Sequence, residues 1–288
     1  MKPIEFSARE FSSLSTDPPA FDFGAYSRLK FGADEPARDF GHELAAAFFS
    51  KHGLYAMTQP CVVIPAPSTE VPVAATLLAK YFVQALNRLL VQHNSTYFVE
   101  TSHIIRGESY VNNYADLPKA ERQKLLADDV RYVNWEQLGD KRLIFIDDAT
   151  ITGTHQEKLE QMLVGRFNPR AYVTYARYTG DDASIEHRLN HVLVKEAVDL
   201  DWLCSEPGYR VTTRAVRLLL EANPMTMFYL CEVLPLPVLE EFYHSAVIKN
   251  YHRHAPYQPA FAQLDKALIT RQALKDIEHG TRQKTLAA

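Results

Sequence analysis

The chain has 288 residues, 47% of them hydrophobic, enough for one large core or for a core and an appendage. Its formal charge of −4, from 35 acids against 31 bases, excludes a general attraction to nucleic acid or to anionic membrane, so an anionic ligand needs a local basic site. The three scattered cysteines, Cys61, Cys204 and Cys231, form no CxxC pair and suit a reducing cytosol; no run approaches the ~18 apolar residues that span a bilayer, and the N-terminus lacks a secretory core.

In chain order, residues 1–25 read as irregular, broken by Asp17-Pro18-Pro19. Tyr26 to Gly32 is a basic, aromatic segment ending in glycine. A helix follows from about Pro36 to His52, with Phe40, Leu44, Ala47 and Phe48 on one face. Cys61 to Pro65 reads as a buried strand and Ala66 to Glu70 as a turn. A long helix then runs from Val71 to about Gln92, with Ser68 or Thr69 placed to cap it. Tyr97 to Glu100 is a short strand. The polar stretch from Thr101 to Asn134, with a short helix near Lys119 to Leu126, is long enough to be a lid.

The most informative segment is Leu143 to His155, LIFIDDATITGTH. Four apolar residues predict a strand, and Leu159, Met162 and Leu163 at spacings of three and four predict the helix that follows. The loop between them lies at the carboxyl end of the strand, where ligands bind in open parallel sheets. Thr150, Thr152 and Thr154 offer hydroxyls, Gly153 lets the backbone approach closely, and a helix N-terminus offers free N–H groups, a set suited to a phosphate monoester. Asp147 and Asp148 would repel phosphate and instead suit sugar hydroxyls or a divalent cation. A phosphatase with an Asp nucleophile would want its acids two apart, and these are adjacent. Beyond the motif, Arg170 to Ala176 reads as a strand, Asp181 to Asn190 as a helix and His191 to Val194 as one more strand. From Tyr209 the pattern is helical, ending in an amphipathic segment from Phe261 to about Glu278.

LIFIDDATITGTH resembles the phosphoribosyl pyrophosphate (PRPP) motif of the type I phosphoribosyltransferases, and Leu29-Lys30-Phe31-Gly32 resembles a stretch of the ComF-like branch in which a lysine lies near the PRPP site. The resemblance implies an α/β fold with a mainly parallel sheet flanked by helices over residues 1–200, a lid at about 101–134, and a helical C-terminal extension over 201–288. It implies Asp147 and Asp148 on the ribose hydroxyls and on Mg²⁺. It implies Thr150, Ile151, Thr152, Gly153 and Thr154 around the 5-phosphate, with Lys30 nearby. Ser68 and Thr69 would lie on the early loop that receives pyrophosphate, and Arg106 would be the lid base that stabilises it, ahead of Arg122 and Arg131. Ile151 and His155 depart from the commonest pattern, which has a polar residue and a threonine there.

The expected activity is transfer of the phosphoribosyl group from PRPP to a nitrogen acceptor with release of pyrophosphate, in the cytoplasm, with PRPP and a small-molecule acceptor as partners and a homo-oligomer left open. The alternative is a sensor of the same fold that binds PRPP or a nucleotide without turnover. No DNA-reading helix or basic stripe is present to make it a repressor.

Overall fold

The structure, a computed structural model, describes residues 2–106, 131–182 and 184–286, without the side chains of Arg106, Arg131, Tyr132 and residues 276–286. Its strands are β1 (Ile4–Phe11), β2 (Cys61–Pro65), β3 (Val99–Thr101), β4 (Ile104–Arg106), β5 (Arg131–Val133), β6 (Arg142–Thr150) and β7 (Arg170–Tyr178). Five of them form one sheet in the order β1-β7-β6-β2-β3, with every neighbouring pair parallel. β4 and β5 form a separate antiparallel pair. Helices α1 (Phe23–Lys30), α2 (Asp34–Met57), α3 (Ala74–Gln92), α4 (Trp135–Leu138), α5 (Thr154–Met162) and α6 (Ile185–Asn190) flank the sheet, and α7 (Leu200–Leu203), α8 (Thr213–Leu220), α9 (Pro224–Val233), α10 (Leu236–Ile248) and α11 (Gln258–Leu286) follow it.

The unbroken apolar runs of β2 and β6 follow from burial on both faces, the usual state of a parallel sheet. Successive side chains alternate between the faces. Val63, Ile144 and Ile146 pack with α2 and α3, while Val62, Leu143 and Phe145 pack with Leu159 and Leu163 on the α5 side. α7 to α11 build their own core, in which Leu219, Leu230, Phe242 and Leu264 are fully buried; it also takes in Phe31 and Ala33 from the turn between α1 and α2. Among the described residues, no helix is long and apolar enough to cross a membrane.

Three expectations need correction. The first residues are not irregular: β1 is an edge strand pairing with β7 from Ile4↔Ala171 to Phe11↔Tyr178. Its signal, Ile4, Phe6 and Ala8 in alternation, is masked by charged residues facing solvent at the sheet edge. His191 to Val194 is not a strand. Its amides are met by a side chain, because Ser27 Oγ accepts from Leu193 N at 3.2 Å and Val194 N at 3.0 Å. Neither Ser68 nor Thr69 caps α3, which starts at Ala74 after Val73. Thr69 Oγ1 instead accepts from Val71 N at 3.4 Å, and Ser68 N donates to Ile104 O. The expected lid is framed by β4 and β5, but residues 107–130, with Arg122 and the short helix expected there, lie outside the described residues.

α1 is the hub between the sheet and the C-terminal helices. Asp22 caps it by accepting from Ala25 N at 2.8 Å. Arg28 pairs with Glu206 at 3.0 Å, Lys30 O accepts from Thr212 Oγ1 at 3.0 Å, and Gly32 O accepts from Arg210 N at 3.0 Å. Ser27 Oγ donates to Asn190 O at 2.7 Å, which ties α1 to α6.

Candidate functional site

β2 and β6 are neighbours, but the chain leaves them in opposite directions, towards β3 after β2 and towards β7 after β6. That is a topological switch point, where an open parallel sheet leaves a crevice. The pairing of β2 with β6 ends at Pro65↔Ile146, while β6 runs on against β7 through Asp147↔Thr174, Ala149↔Ala176 and Thr150↔Arg177. The strand is therefore longer than its apolar run, and the acids belong to it rather than to the loop. A cavity of about 200 Å³ opens beside this extension. Asp147, Asp148 and all of Thr150 to Thr154 line it, as do Tyr26 and Lys30 of α1.

Because the strand continues, its adjacent acids point to opposite faces. Asp147 faces the α5 side and meets His155 Nδ1 at 2.7 Å, while its Oδ1 accepts from Asp148 N at 2.9 Å. Asp148 faces α1, where Lys30 Nζ donates at 2.6 Å to the same oxygen that accepts from Tyr26. Tyr26 and Lys30 share a helix face because they are four apart. The two acids titrate in opposite directions. Burial, together with the charge of Asp148, raises Asp147 above the usual carboxylate range against the hydrogen bond from His155. Burial would also raise Asp148, but the Lys30 charge and the bonds from Lys30 and Tyr26 outweigh it and hold Asp148 low. Burial and Asp148 push the Tyr26 hydroxyl well above its ordinary value, so it remains a donor.

The loop is short, Ile151 to Gly153, and Gly153 adopts the left-handed conformation at φ 75° as N-cap of α5. Among the described residues no side chain caps this helix, so its first N–H groups are available to a ligand. Neither Thr152 nor Thr154 serves as cap; their hydroxyls bond each other at 3.0 Å. A Cβ built on Gly153 meets no atom of the described residues within 4 Å, so among them the space beside it is open. Gly153→Val, by filling that space and straining the left-handed turn, is expected to weaken the binding of any phosphate held at the α5 N-terminus at least tenfold, about 1.4 kcal/mol. Calorimetry on the folded variant checks this, and unchanged affinity would remove the phosphate from this loop.

Of the other expected residues, Ser68 and Thr69 do not line the cavity, whereas Pro65 and Ala66 do. Arg106 ends β4 opposite Arg131, but both side chains lie outside the described residues. Tyr26, Thr174 and Glu186 are among the lining residues that were not anticipated. Tyr26 is signalled only by its i, i+4 spacing from Lys30, once that segment is known to be helical. Thr174, across from Asp147 on β7, is 6% exposed and its hydroxyl has no hydrogen-bond partner among the described residues, so it is available to a ligand. Glu186 reaches the cavity from α6, with no sequence signal. Among the described residues, no three His, Cys, Asp or Glu side chains converge on a metal-sized site.

A family model described as PRTase ComF-like matches residues 6–264. Among solved structures, a hypoxanthine phosphoribosyltransferase from Staphylococcus aureus matches at 12% identity and a TM-score of 0.33, over 52% of this chain and 77% of that one. A hypoxanthine phosphoribosyl transferase from Trypanosoma cruzi matches at 14% identity and a TM-score of 0.34, over the same shares of 52% and 77%. No curated protein matches the chain.

Proposed function

The chain belongs to the ComF-like phosphoribosyltransferases, and from that membership we propose that it binds PRPP in the β2–β6 crevice and transfers its phosphoribosyl group to a nitrogen of a small acceptor. The bond from the ribose C1 to the acceptor nitrogen forms, the C1–oxygen bond to pyrophosphate breaks, and the acceptor nitrogen gives up a proton. One observation carries the reading. An uncapped helix start behind Gly153 and a pair of carboxylates share one cavity at the switch point of the sheet. The first suits a 5-phosphate and the second a ribose diol, and a sugar phosphate presents both.

In this reading the α5 N-terminus, with Thr150, Thr152 and Thr154, holds the 5-phosphate. Asp147 and Asp148 accept from the ribose hydroxyls and stabilise positive charge developing at C1. Lys30 and Tyr26 fix the Asp148 carboxylate in place and keep it ionised. Thr174 offers one further hydroxyl. The donor set fits a Mg²⁺ that arrives with the ligand, since that ion is commonly held by one or two carboxylates together with ligand oxygens. Asp147, and Asp148 beside it, would hold it, and when bound it would neutralise charge on the departing pyrophosphate.

The choice of acceptor is narrowed by Ile151, which lines the cavity but has no atom that can exchange a proton. In the purine-base enzymes that the motif resembles, an aspartate commonly stands there, and a general base contributes roughly 10²–10⁴-fold in rate. Hypoxanthine, guanine and adenine are therefore expected to be poor acceptors, with kcat/KM below about 10⁴ M⁻¹s⁻¹. The same residue is what favours the second reading, a PRPP sensor without turnover. Incubation with PRPP, Mg²⁺ and a panel of bases and small amines separates them. Acceptor-dependent pyrophosphate release, with the nucleotide found by mass spectrometry, establishes transfer. Binding without release establishes the sensor, and efficient turnover of a purine overturns the argument from Ile151.

A further inference from the structure

A second cavity, of about 360 Å³, adjoins the first. Lys30 lines both, and α6 contributes Glu186 to the first and His187 and His191 to the second. The C-terminal helices contribute Thr213, Arg214 and Arg217 of α8, while Phe31, Val73 and Ala74 at the start of α3, and Leu218 supply apolar surface, with Glu221 as the one acid among the described lining residues. The volume is in the range of small-molecule sites.

Its cations are not equally committed. Lys30 is spent on Asp148 at 2.6 Å. Arg217 pairs with Glu221 at 3.4 Å and donates to Tyr257 OH at 3.3 Å. Arg214 is different. Among the described residues its one ion pair is with Glu186 at 3.9 Å, the two side chains being 36% and 55% exposed, and it makes no hydrogen bond to the protein. A guanidinium presents five donors in a planar fork that matches a carboxylate or a phosphate. Beside it, the His187 ring packs against the His191 ring with centroids 4.3 Å apart, and its nitrogens have no hydrogen-bond partner among the described residues. The Thr213 hydroxyl is likewise unpartnered there. The wall thus combines unused donors with an apolar face and meets the first cavity at Lys30.

We propose that this second cavity receives the acceptor and that Arg214, supported by His187 and Thr213, binds an acidic group on it, so that the acceptor is a small anionic molecule, a carboxylate or phosphate on a flat nitrogen-containing ring. The assignment to an acceptor rests on the PRPP reading of the first cavity; the anion-binding role of Arg214 does not. The C-terminal helices would then build half of the acceptor site in addition to packing on the sheet. The other source of an anion here is the pyrophosphate of PRPP itself, and the test separates the two.

The test is calorimetry on the full chain, with its first cavity filled by ribose 5-phosphate and with two probe pairs, orotate against uracil and nicotinate against nicotinamide. The expected result is that the carboxylated member of at least one pair binds at least tenfold more tightly than its uncharged counterpart. Arg214→Gln should abolish that preference while leaving ribose 5-phosphate affinity within about twofold, and Arg214→Lys should keep part of it. Circular dichroism confirms that the variants fold, which is expected because Arg214 is partly exposed. No preference for a carboxylate in the wild type, or a preference that survives Arg214→Gln, overturns the proposal. Loss of inorganic pyrophosphate affinity in Arg214→Gln with carboxylate binding unchanged also overturns it, and gives the cavity to the leaving group. If ribose 5-phosphate and PRPP fail to bind the wild type while carboxylates still bind through Arg214, the PRPP reading fails and the anion subsite stands.

Discussion

Asp148→Asn is expected to destabilise the chain by about 3 kcal/mol and to lower any phosphoribosyl transfer by about 10²-fold or more. The Asp148 and Lys30 side chains are only 8% and 14% exposed, so removing the carboxylate leaves a largely buried ammonium without the charge it is paired with. Asparagine still accepts from Tyr26 and Lys30, but as a dipole rather than a charge. Removing both charges in Asp148→Asn, Lys30→Met should recover most of the stability, because an uncharged pair leaves no stranded charge, while activity stays low. Thermal melts of the four members of this cycle, alongside turnover, separate the structural part from the catalytic part. The pH dependence has a definite sign. Asp148 is held below its unfolded value, near 3.9, so its stabilisation is complete above that pH and is lost as the pH falls through the lower, folded value. The gap between wild type and Asp148→Asn should therefore close only in acid, below about pH 4. Equal stability of the two proteins at neutral pH would show that the Lys30–Asp148 pair contributes nothing.

The second large effect lies outside the cavity. Gly32→Ala should cost about 2–4 kcal/mol, the sum of backbone strain and overpacking. Gly32 has φ 113°, and an added Cβ would stand 1.9 Å from the carbonyl oxygen of Arg210. That oxygen belongs to backbone, so the contact cannot be relieved by turning a side chain. The segment from Arg210 to Thr212 holds the end of α1, and it would have to move away from Lys30 O and Gly32 O. Chemical denaturation should show the loss, and PRPP affinity should fall with it because Lys30 sits at that end of α1. Wild-type stability in Gly32→Ala would mean that the C-terminal helices do not pack on α1 in this way.

The reach of the sequence differed from one part of the molecule to another for physical reasons. Leu143 to Ile146 and Cys61 to Pro65 were readable as buried strands because a parallel sheet covered on both faces needs continuous apolar runs. β1 was hidden because an edge strand carries charges on its open side. The turn into α5 was readable because a glycine among threonines interrupts the apolar run before the helical spacing begins, although Thr150 proved to end β6 and Thr154 to start α5. That Asp147 and Asp148 face opposite ways was not readable. It depends on β7 extending its pairing to Thr150, a contact made by a strand more than twenty residues later. Ser68 and Thr69 suggested a cap by composition alone, and the loop geometry placed α3 farther on. Tyr26, Thr174 and Glu186 reach the cavity only through tertiary packing, and so does the Arg214 wall of its neighbour.

Whether the β2–β6 crevice is a PRPP site is decided by a calorimetric titration of the full chain with PRPP in the presence of Mg²⁺, repeated with ribose 5-phosphate as competitor. One PRPP site per chain is expected, competed by ribose 5-phosphate and weakened in both Gly153→Val and Asp147→Asn. No binding of PRPP, or binding that ribose 5-phosphate does not compete and neither substitution changes, would contradict it.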